Sequence, residues 1–229
     1  VAARAALPLA GRVIVLDPGH QLGNHNFPAQ INALVPAGGF RKPCNSTGTA
    51  TNAGLPEATF AFRVANRLKL RLEKLGARVI MTRTTNREDR WGPCVDARGR
   101  RGNKVGADLK VSIHGDGSTS GGHGFHIIAP VNRAPWTDDI FVSSRRLARV
   151  LRAELVARGY QRANYIAGGD GLDFRGDLAT LNLSDVPTVM VESGNMRGTD
   201  ARWMSSATGR RAYARALAQG IVDYLTTAK

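Results

Sequence analysis

The segment RVIVLDPGH, residues 12–20, decides the fold that this sequence predicts. The run Arg12–Asp17 is short, apolar and β-branched, and it ends at Pro-Gly, which is typical of a buried strand. Two later segments repeat the arrangement: LKVSIH (residues 109–114) and TVMVE (residues 188–192). In each of the three segments an ionisable residue follows an apolar strand, with a glycine close by, so all three strands are expected to end at a functional edge.

Other runs predict further strands and helices around these three. Two more strands are predicted at residues 78–82 and 125–128. A helix is predicted from Pro56 to about Leu75, because its apolar residues fall on one stripe at helical spacing, and two more helices at 139–158 and 209–225. Strands that alternate with helices, and that are apolar throughout, predict an α/β sheet covered on both faces. A length of 229 residues fits one sizeable core, so residues 1–229 are predicted to form a single domain.

The charge balance is strongly basic, with 32 Lys and Arg against 18 Asp and Glu. A net charge of +14 attracts polyanions such as nucleic acid, acidic lipid or anionic wall polymer, although it is also what a GC-rich genome produces. The arginines are spread over amphipathic helices such as residues 143–160, and only 6% of residues are aromatic. A solvated helix face therefore explains them better than nucleic-acid binding does.

The two cysteines, Cys44 and Cys94, lie in Gly/Pro-rich sequence and form no Cys-x-x-Cys pair. A disulfide between them is favoured if the protein is exported, and two buried free thiols are the alternative. No apolar run is long enough to span a membrane. The amino-terminal sequence VAARAALPLAGR lacks a full signal peptide, so we expect a mature form after signal peptide removal.

Residues 21–56 are rich in Gly, Asn, Pro and Thr, with one helical turn expected around Gln30 to Leu34. Long connections without secondary structure are uncommon in compact domains and are often functional. The sequence therefore predicts a loop insertion here that acts as a lid.

Four residues are candidates for the chemistry of this protein. His20, His114 and Glu192 each follow an apolar strand, and the carboxyl ends of such strands form the ligand-binding edge of an open α/β sheet. Glu57 begins the first long helix and continues its buried stripe, where a carboxylate needs a partner such as a metal ion. Taken singly, each residue is weak evidence, because a histidine at a strand end is more often structural and a glutamate at a helix start is common. Together His20, Glu57 and His114 make a His₂Glu set, which is a catalytic zinc arrangement with a position open for water.

Other polar residues near these strands carry weaker signals. Asp17 is either a partner that fixes His20 or its loop, or a turn aspartate at a strand end. His126 alternates with apolar residues and is predicted to be structural. His123, in a Gly-rich loop, is a candidate for the border of the cleft, and His25 carries no signal.

At these residues the sequence resembles the zinc-dependent N-acetylmuramoyl-L-alanine amidases of the Amidase_3 family. The resemblance rests on four ordered segments: VIVLDPGHQLGN, LPEATFAFRVANRLKLRLEKLGARVIMTRTTN, GADLKVSIHGDG and VPTVMVESGNM. It implies a mostly parallel, twisted β-sheet flanked by α-helices, one zinc ion on His20, Glu57 and His114, and Glu192 as the catalytic carboxylate. It also implies hydrolysis of the amide between the lactyl group of N-acetylmuramic acid and L-alanine of the stem peptide.

The resemblance extends to the setting in which the protein works. It implies peptidoglycan or a muropeptide as substrate. The basic charge predicts attraction to anionic cell-wall polymers, and we expect export to the periplasm or cell wall and a monomer. No wall-binding repeats are recognisable, so a small stand-alone member of the family is expected, and a catalytically inactive peptidoglycan-binding domain is the weaker alternative. Gly115-Asp116 and Ser193-Gly194-Asn195 depart from the commoner family residues, which puts substrate fit in doubt more than the reaction.

Overall fold

The computed structural model describes residues 6–119 and 121–227. Within them, the strands in chain order are β1 (Val13–Pro18), β2 (Leu34–Pro36), β3 (Arg41–Pro43), β4 (Arg78–Met81), β5 (Leu109–Asp116), β6 (His126–Pro130), β7 (Leu172–Arg175) and β8 (Thr188–Asn195). The α-helices are α1 (Pro28–Asn32), α2 (Glu57–Lys74), α3 (Val95–Arg100), α4 (Phe141–Ala157), α5 (Ala179–Asn182), α6 (Ala201–Ser205) and α7 (Ala207–Thr226).

Six strands form one sheet in the order β4-β1-β5-β8-β6-β7, and β2 pairs with β3 in a separate small hairpin. The first four strands of the sheet run parallel to one another. Strand β6 is antiparallel to β8, and β7 runs parallel to β6. The prediction of a mostly parallel sheet in a single α/β domain is confirmed.

Helices cover both faces of this sheet, as predicted. Because side chains alternate along a strand, Ile14 and Leu16 of β1 face the main core, as do Val111 and Ile113 of β5. Helices α2, α4 and α7 close that core. The opposite face carries α3 and α5 and is partly polar, since it includes the wholly buried side chains of Asp17, Lys110 and Ser112.

Three parts of the chain differ from the sequence predictions. Residues 21–56 are more ordered than expected: a 3₁₀ helix spans Leu22–Asn26, the helical turn is α1, and β2 and β3 form the hairpin. Strand β7 is not among the strands that the sequence predicts, because LDFR is a short edge strand interrupted by charge. The five-residue helix α6 is too short for its periodicity to show in the sequence.

The predicted disulfide is confirmed, because Cys44 is bonded to Cys94 across 50 residues of sequence. It holds the end of the β2–β3 hairpin against the start of α3, where the Val95 N–H donates to the Cys44 carbonyl at 2.7 Å. Of the helices in the described residues, none combines the length and apolarity that crossing a membrane requires.

Candidate metal centre and catalytic cleft

His20 lies two residues beyond β1, at the carboxyl edge of the sheet. Its φ of 55° is in the left-handed region, which is uncommon for a residue other than glycine and often marks a functional position. The ring Nδ1 lies 3.0 Å from the Ser46 carbonyl oxygen, so Nδ1 carries the proton that it donates there. The other ring nitrogen, Nε2, faces Glu57, whose Oε1 is 3.0 Å away.

Glu57 is the first residue of α2, where the positive end of the helix dipole favours a carboxylate. Its side chain is buried, and Oε1 lies 2.8 Å from the Nδ1 of His114 as well as near His20. Its other oxygen, Oε2, accepts a hydrogen bond from the Thr49 N–H at 2.9 Å. The carboxylate thus sits between two imidazoles while the backbone fixes its orientation.

The ligand atoms of His20, Glu57 and His114 all lie within 4.8 Å of one another. Two imidazole nitrogens and one carboxylate oxygen are a donor set that fits a zinc ion. Glycines allow this close approach: a Cβ at Gly19 would come within 2.3 Å of the His114 ring, and one at Gly48 within 2.7 Å of Glu57 Oε2. The structure therefore brings the three sequence-predicted residues into one group that could hold a metal ion.

Glu192, the fourth predicted residue, is level with His114 in the register of β8 and β5. Residues in register on neighbouring strands point to the same face, so the two side chains share one side of the sheet. The Glu192 Oε2 atom is buried and has no hydrogen-bond partner in the described protein residues. Burial, followed by the negative charges of Glu57 and Asp116, raises the pKa of Glu192 well above its usual value.

Among the clustered residues the carboxyl pKa is shifted in the opposite direction from that of Glu192. Burial acts to raise the pKa of Glu57, but the charge of His20 and hydrogen bonds from both histidines hold that pKa well below its usual value. Burial likewise acts to lower the pKa of His20, yet the nearby Glu57 carboxylate raises it. Glu57 is thus kept ionised as a metal ligand must be, while Glu192 is poised to take up a proton.

Asp17 contacts Arg98, and through it holds the loop that carries His20. Arg98 is buried, and its Nη1 donates to Asp17 Oδ1 and to the Pro18 carbonyl, each at 2.7 Å. Its Nη2 donates to the His20 carbonyl at 2.6 Å. Asp17 also accepts hydrogen bonds from Thr82 and Ser112, which together with Arg98 outweigh burial and lower its pKa.

A second buried guanidinium, that of Arg83, holds the same loop from the other side. Its Nε donates to the Pro18 carbonyl and its Nη2 to the Gly19 carbonyl, both at 3.0 Å. The same Nη2 donates to the Ala58 carbonyl at 2.7 Å, next to Glu57 at the start of α2. Arg83 thereby connects the backbone of the His20 loop to the helix that supplies Glu57.

A cleft of about 880 Å³ opens above His20, Glu57, His114 and Glu192. One wall is formed by the 21–56 segment and includes His25 and Lys42; the other includes residues of α5. His25, which carries no signal in the sequence, therefore borders the cleft. His123 is not among the residues that line it, and its N–H donates to Asn164 Oδ1.

His126 is buried in β6, opposite Glu192 in the register, and its ring makes an edge contact with Tyr165. Burial lowers its pKa, so it is a neutral, structural histidine as predicted. Arg83, Arg98 and Lys42 were missed by the sequence analysis. Only Arg83 carried a signal, since it follows the predicted strand 78–82 directly at the functional edge of the sheet.

The fold and the site define an α/β protein with a candidate metal centre at the carboxyl edge of its sheet. The family model for N-acetylmuramoyl-L-alanine amidase matches residues 14–223. The chain is 40% identical, over 96% of its length and 88% of the relative's, to N-acetylmuramoyl-L-alanine amidase Rv3717 of Mycobacterium tuberculosis. The chain belongs to the N-acetylmuramoyl-L-alanine amidase family.

Two crystal structures show the same fold. The apo form of the N-acetylmuramyl-L-alanine amidase Ami1 from Mycobacterium abscessus is 43% identical, with a TM-score of 0.87 over 95% of this chain and 100% of that one. Ami1 from Mycobacterium smegmatis is 39% identical, also with a TM-score of 0.87, over 95% of this chain and 98% of that one. The resemblance that the four sequence segments predicted is thereby confirmed.

Proposed function

We propose that this protein is a zinc-dependent peptidoglycan amidase that hydrolyses the bond between the lactyl group of N-acetylmuramic acid and L-alanine of the stem peptide. The family membership supports the reaction. The proposal of a metal ion is supported by the convergence of His20, Glu57 and His114 within 4.8 Å. Glu192 lies level with His114 on the neighbouring strand.

In this proposal His20, Glu57 and His114 hold the ion and Glu192 moves the proton. Zinc bound there would polarise the scissile carbonyl and lower the pKa of a water molecule to about 7. The Glu192 carboxylate accepts a proton from the attacking water and holds it until the amide bond breaks. Glu192 then delivers the proton to the departing amine of L-alanine, so that atoms and charge balance when the amide breaks.

The cleft and the surface suggest how substrate reaches the site. The 21–56 segment forms one wall of the cleft, and we propose that it acts as a lid over bound substrate. The net charge of +14 would draw the protein to anionic wall polymers, an attraction that weakens with salt. The disulfide is consistent with an oxidising compartment, so we propose export to the periplasm or cell wall, where the protein acts as a monomer.

Product analysis with a muramyl peptide tests the proposed reaction. Mass spectrometry should find a new free amino group on L-alanine and an intact sugar lactyl acid. Chelation should abolish this hydrolysis and added zinc should restore it, because the ion is proposed to activate the attacking water. Cleavage elsewhere in the peptide, or full activity in metal-free protein, would disprove the assignment. Binding of the muramyl peptide without turnover by zinc-loaded protein would favour a catalytically inactive peptidoglycan-binding domain.

A further inference from the structure

Helices α2 and α7 enclose a second cavity, remote from the catalytic cleft, which we call the basic groove. It has a volume of about 210 Å³, and five cationic side chains line it: Arg67, Arg71 and Lys74 from α2, and Arg211 and Arg215 from α7. The remaining lining is Leu70 and Ala214. The lining of the groove therefore consists of cations from both helices and two apolar residues, with no acidic residue.

The five groove cations have no acidic partners, unlike three other cations on the helices of the protein. Lys69, Arg100 and Arg158 each form an ion pair with a carboxylate four residues away on the same helix. Within the described residues, none of the five groove cations forms an ion pair; Arg67 and Arg211 donate to neutral oxygens instead. The groove is thus a site of uncompensated positive charge.

One groove cation, Arg67, contributes to a lowered pKa at the neighbouring Arg210. Arg210 is buried beside the groove, and burial together with the charges of Arg63 and Arg67 lowers its pKa. Like charges held this close repel one another, and an anion bound between them would relieve the repulsion. The groove walls are thereby suited to an anionic ligand.

The spacing of the cations fits a linear ligand with regularly repeated charge. Arg67 and Arg71 are four residues apart on α2, as are Arg211 and Arg215 on α7, so each pair is separated by about 6 Å along its helix axis. Guanidinium groups bind phosphate oxygens in pairs, which makes a row of arginines suited to successive phosphate groups. A chain that lies along the groove would meet cations on both sides.

We propose that the basic groove binds a linear anionic polymer of the bacterial wall in which phosphodiester groups repeat along the chain. Single-stranded nucleic acid fits less well, because the groove has no aromatic side chain on which bases could stack. A membrane fits less well, because the cations line a groove between two helices instead of one helix face. The α2 cations are 10 to 17 residues beyond Glu57, about 15–26 Å along the helix, so a bound polymer would leave the catalytic cleft open.

Fluorescence anisotropy with labelled poly(glycerol phosphate) of about ten repeats tests this proposal without any turnover. Failure here therefore leaves the proposed amidase reaction standing. The groove variant replaces four arginines with glutamine: Arg67→Gln, Arg71→Gln, Arg211→Gln and Arg215→Gln. The control variant removes the same charge from exposed arginines elsewhere: Arg101→Gln, Arg149→Gln, Arg162→Gln and Arg197→Gln.

The groove variant should bind the polymer at least tenfold more weakly than wild type at about 50 mM salt, while the control variant changes less than threefold. Each lost phosphate contact should reduce the magnitude of the slope of log affinity against log salt concentration by about 1. The slope for the groove variant should therefore be smaller in magnitude than that for wild type by roughly 3 to 4. Three of the four groove arginines are exposed and Arg67 is half-buried. We therefore expect nearly unchanged thermal melting of both variants, which excludes misfolding as the cause.

Three outcomes would overturn the proposal. Equal losses in the two variants would mean that only the net charge attracts the polymer. Tighter binding of single-stranded DNA of equal charge, dependent on the same four arginines, would make the groove a nucleic-acid site. Binding of vesicles with about 30% phosphatidylglycerol that depends on those arginines, with no binding of the polymer, would make it a membrane-binding surface.

Discussion

The Nη2 of Arg98 donates a hydrogen bond to the backbone carbonyl of His20 at 2.6 Å, across 78 residues of sequence. This contact matters because His20 has a φ of 55°, a conformation that persists only where the surroundings impose it. The same guanidinium is anchored by Asp17 and by the Pro93 carbonyl. Arg98 therefore positions a proposed metal ligand through its backbone and not through its ring.

Replacing Arg98 with lysine should weaken metal binding. Arg98→Lys keeps a cation for Asp17 but cannot reproduce the fork of donors that reaches both Asp17 and the His20 carbonyl. We expect zinc affinity to fall about 10- to 100-fold, as is usual for partners that orient a ligand. Competition with a chromophoric chelator measures it. The control is Arg100→Lys on the same helix, whose side chain is exposed and pairs with Asp96, and equal affinities in the two variants would contradict the positioning role.

Glu192→Gln should separate metal binding from turnover. The amide is nearly the same size as the carboxylate but cannot accept the proton of an attacking water, so the rate should fall by two to four orders of magnitude, as is typical of general-base loss. Zinc content, measured by inductively coupled plasma mass spectrometry, should stay at one ion per chain. A rate close to wild type would show that another group acts as the base.

The sequence was sufficient to propose the candidate site residues, because each occupies a position that a local pattern marks. His20, His114 and Glu192 follow apolar strands, and parallel strands bring their carboxyl ends to one edge. Glu57 continues the apolar stripe of its helix. The pattern places these residues at one edge, but only the fold shows that three of them converge within 4.8 Å.

The supporting residues were not predictable, because their contacts join distant segments. Arg98 lies in a basic stretch without a strong pattern, and nothing local indicates that its side chain is buried against Asp17 and the His20 loop. Lys110 did carry a signal that was overlooked. It interrupts an apolar strand on the same face as Ser112 and His114, which marks it as a buried cation.

Lys110 should give the protein a stability that rises with pH. Its Nζ is wholly buried and donates to the carbonyls of Arg98 and Gly99, and burial lowers its pKa to about 7. The unfolded chain keeps a pKa of about 10.4. Between these values the unfolded state binds a proton that the native state does not, so the free energy of unfolding rises with pH, by up to about 1.4 kcal/mol per unit.

Urea unfolding of wild type and Lys110→Met at pH 7.5, 8.5 and 9.5 measures this contribution. The free energy of unfolding should rise with pH more steeply in wild type than in Lys110→Met, because methionine has no proton to exchange. Lys104→Met, which removes an exposed lysine, is the control and should keep the wild-type slope. Parallel slopes for Lys110→Met and wild type would show that the buried lysine stays protonated in the native state.

Gly48 and Gly54 offer a matched pair that isolates the packing of the metal centre from backbone strain. Both have positive φ values, 76° and 85°, so alanine at either position should cost about 1–2 kcal/mol of stability. Only at Gly48 would the new Cβ meet other atoms: Glu57 Oε2 at 2.7 Å and the His20 ring at 2.9 Å, whereas nothing lies within 4 Å at Gly54. Gly48→Ala should therefore lower zinc affinity at least tenfold and abolish most hydrolysis, while Gly54→Ala should leave zinc affinity within twofold of wild type.

Isothermal titration with zinc measures the affinities of the two variants, and thermal melting measures their stabilities. Equal zinc affinities would mean that the Gly48 loop does not pack against the bound metal centre.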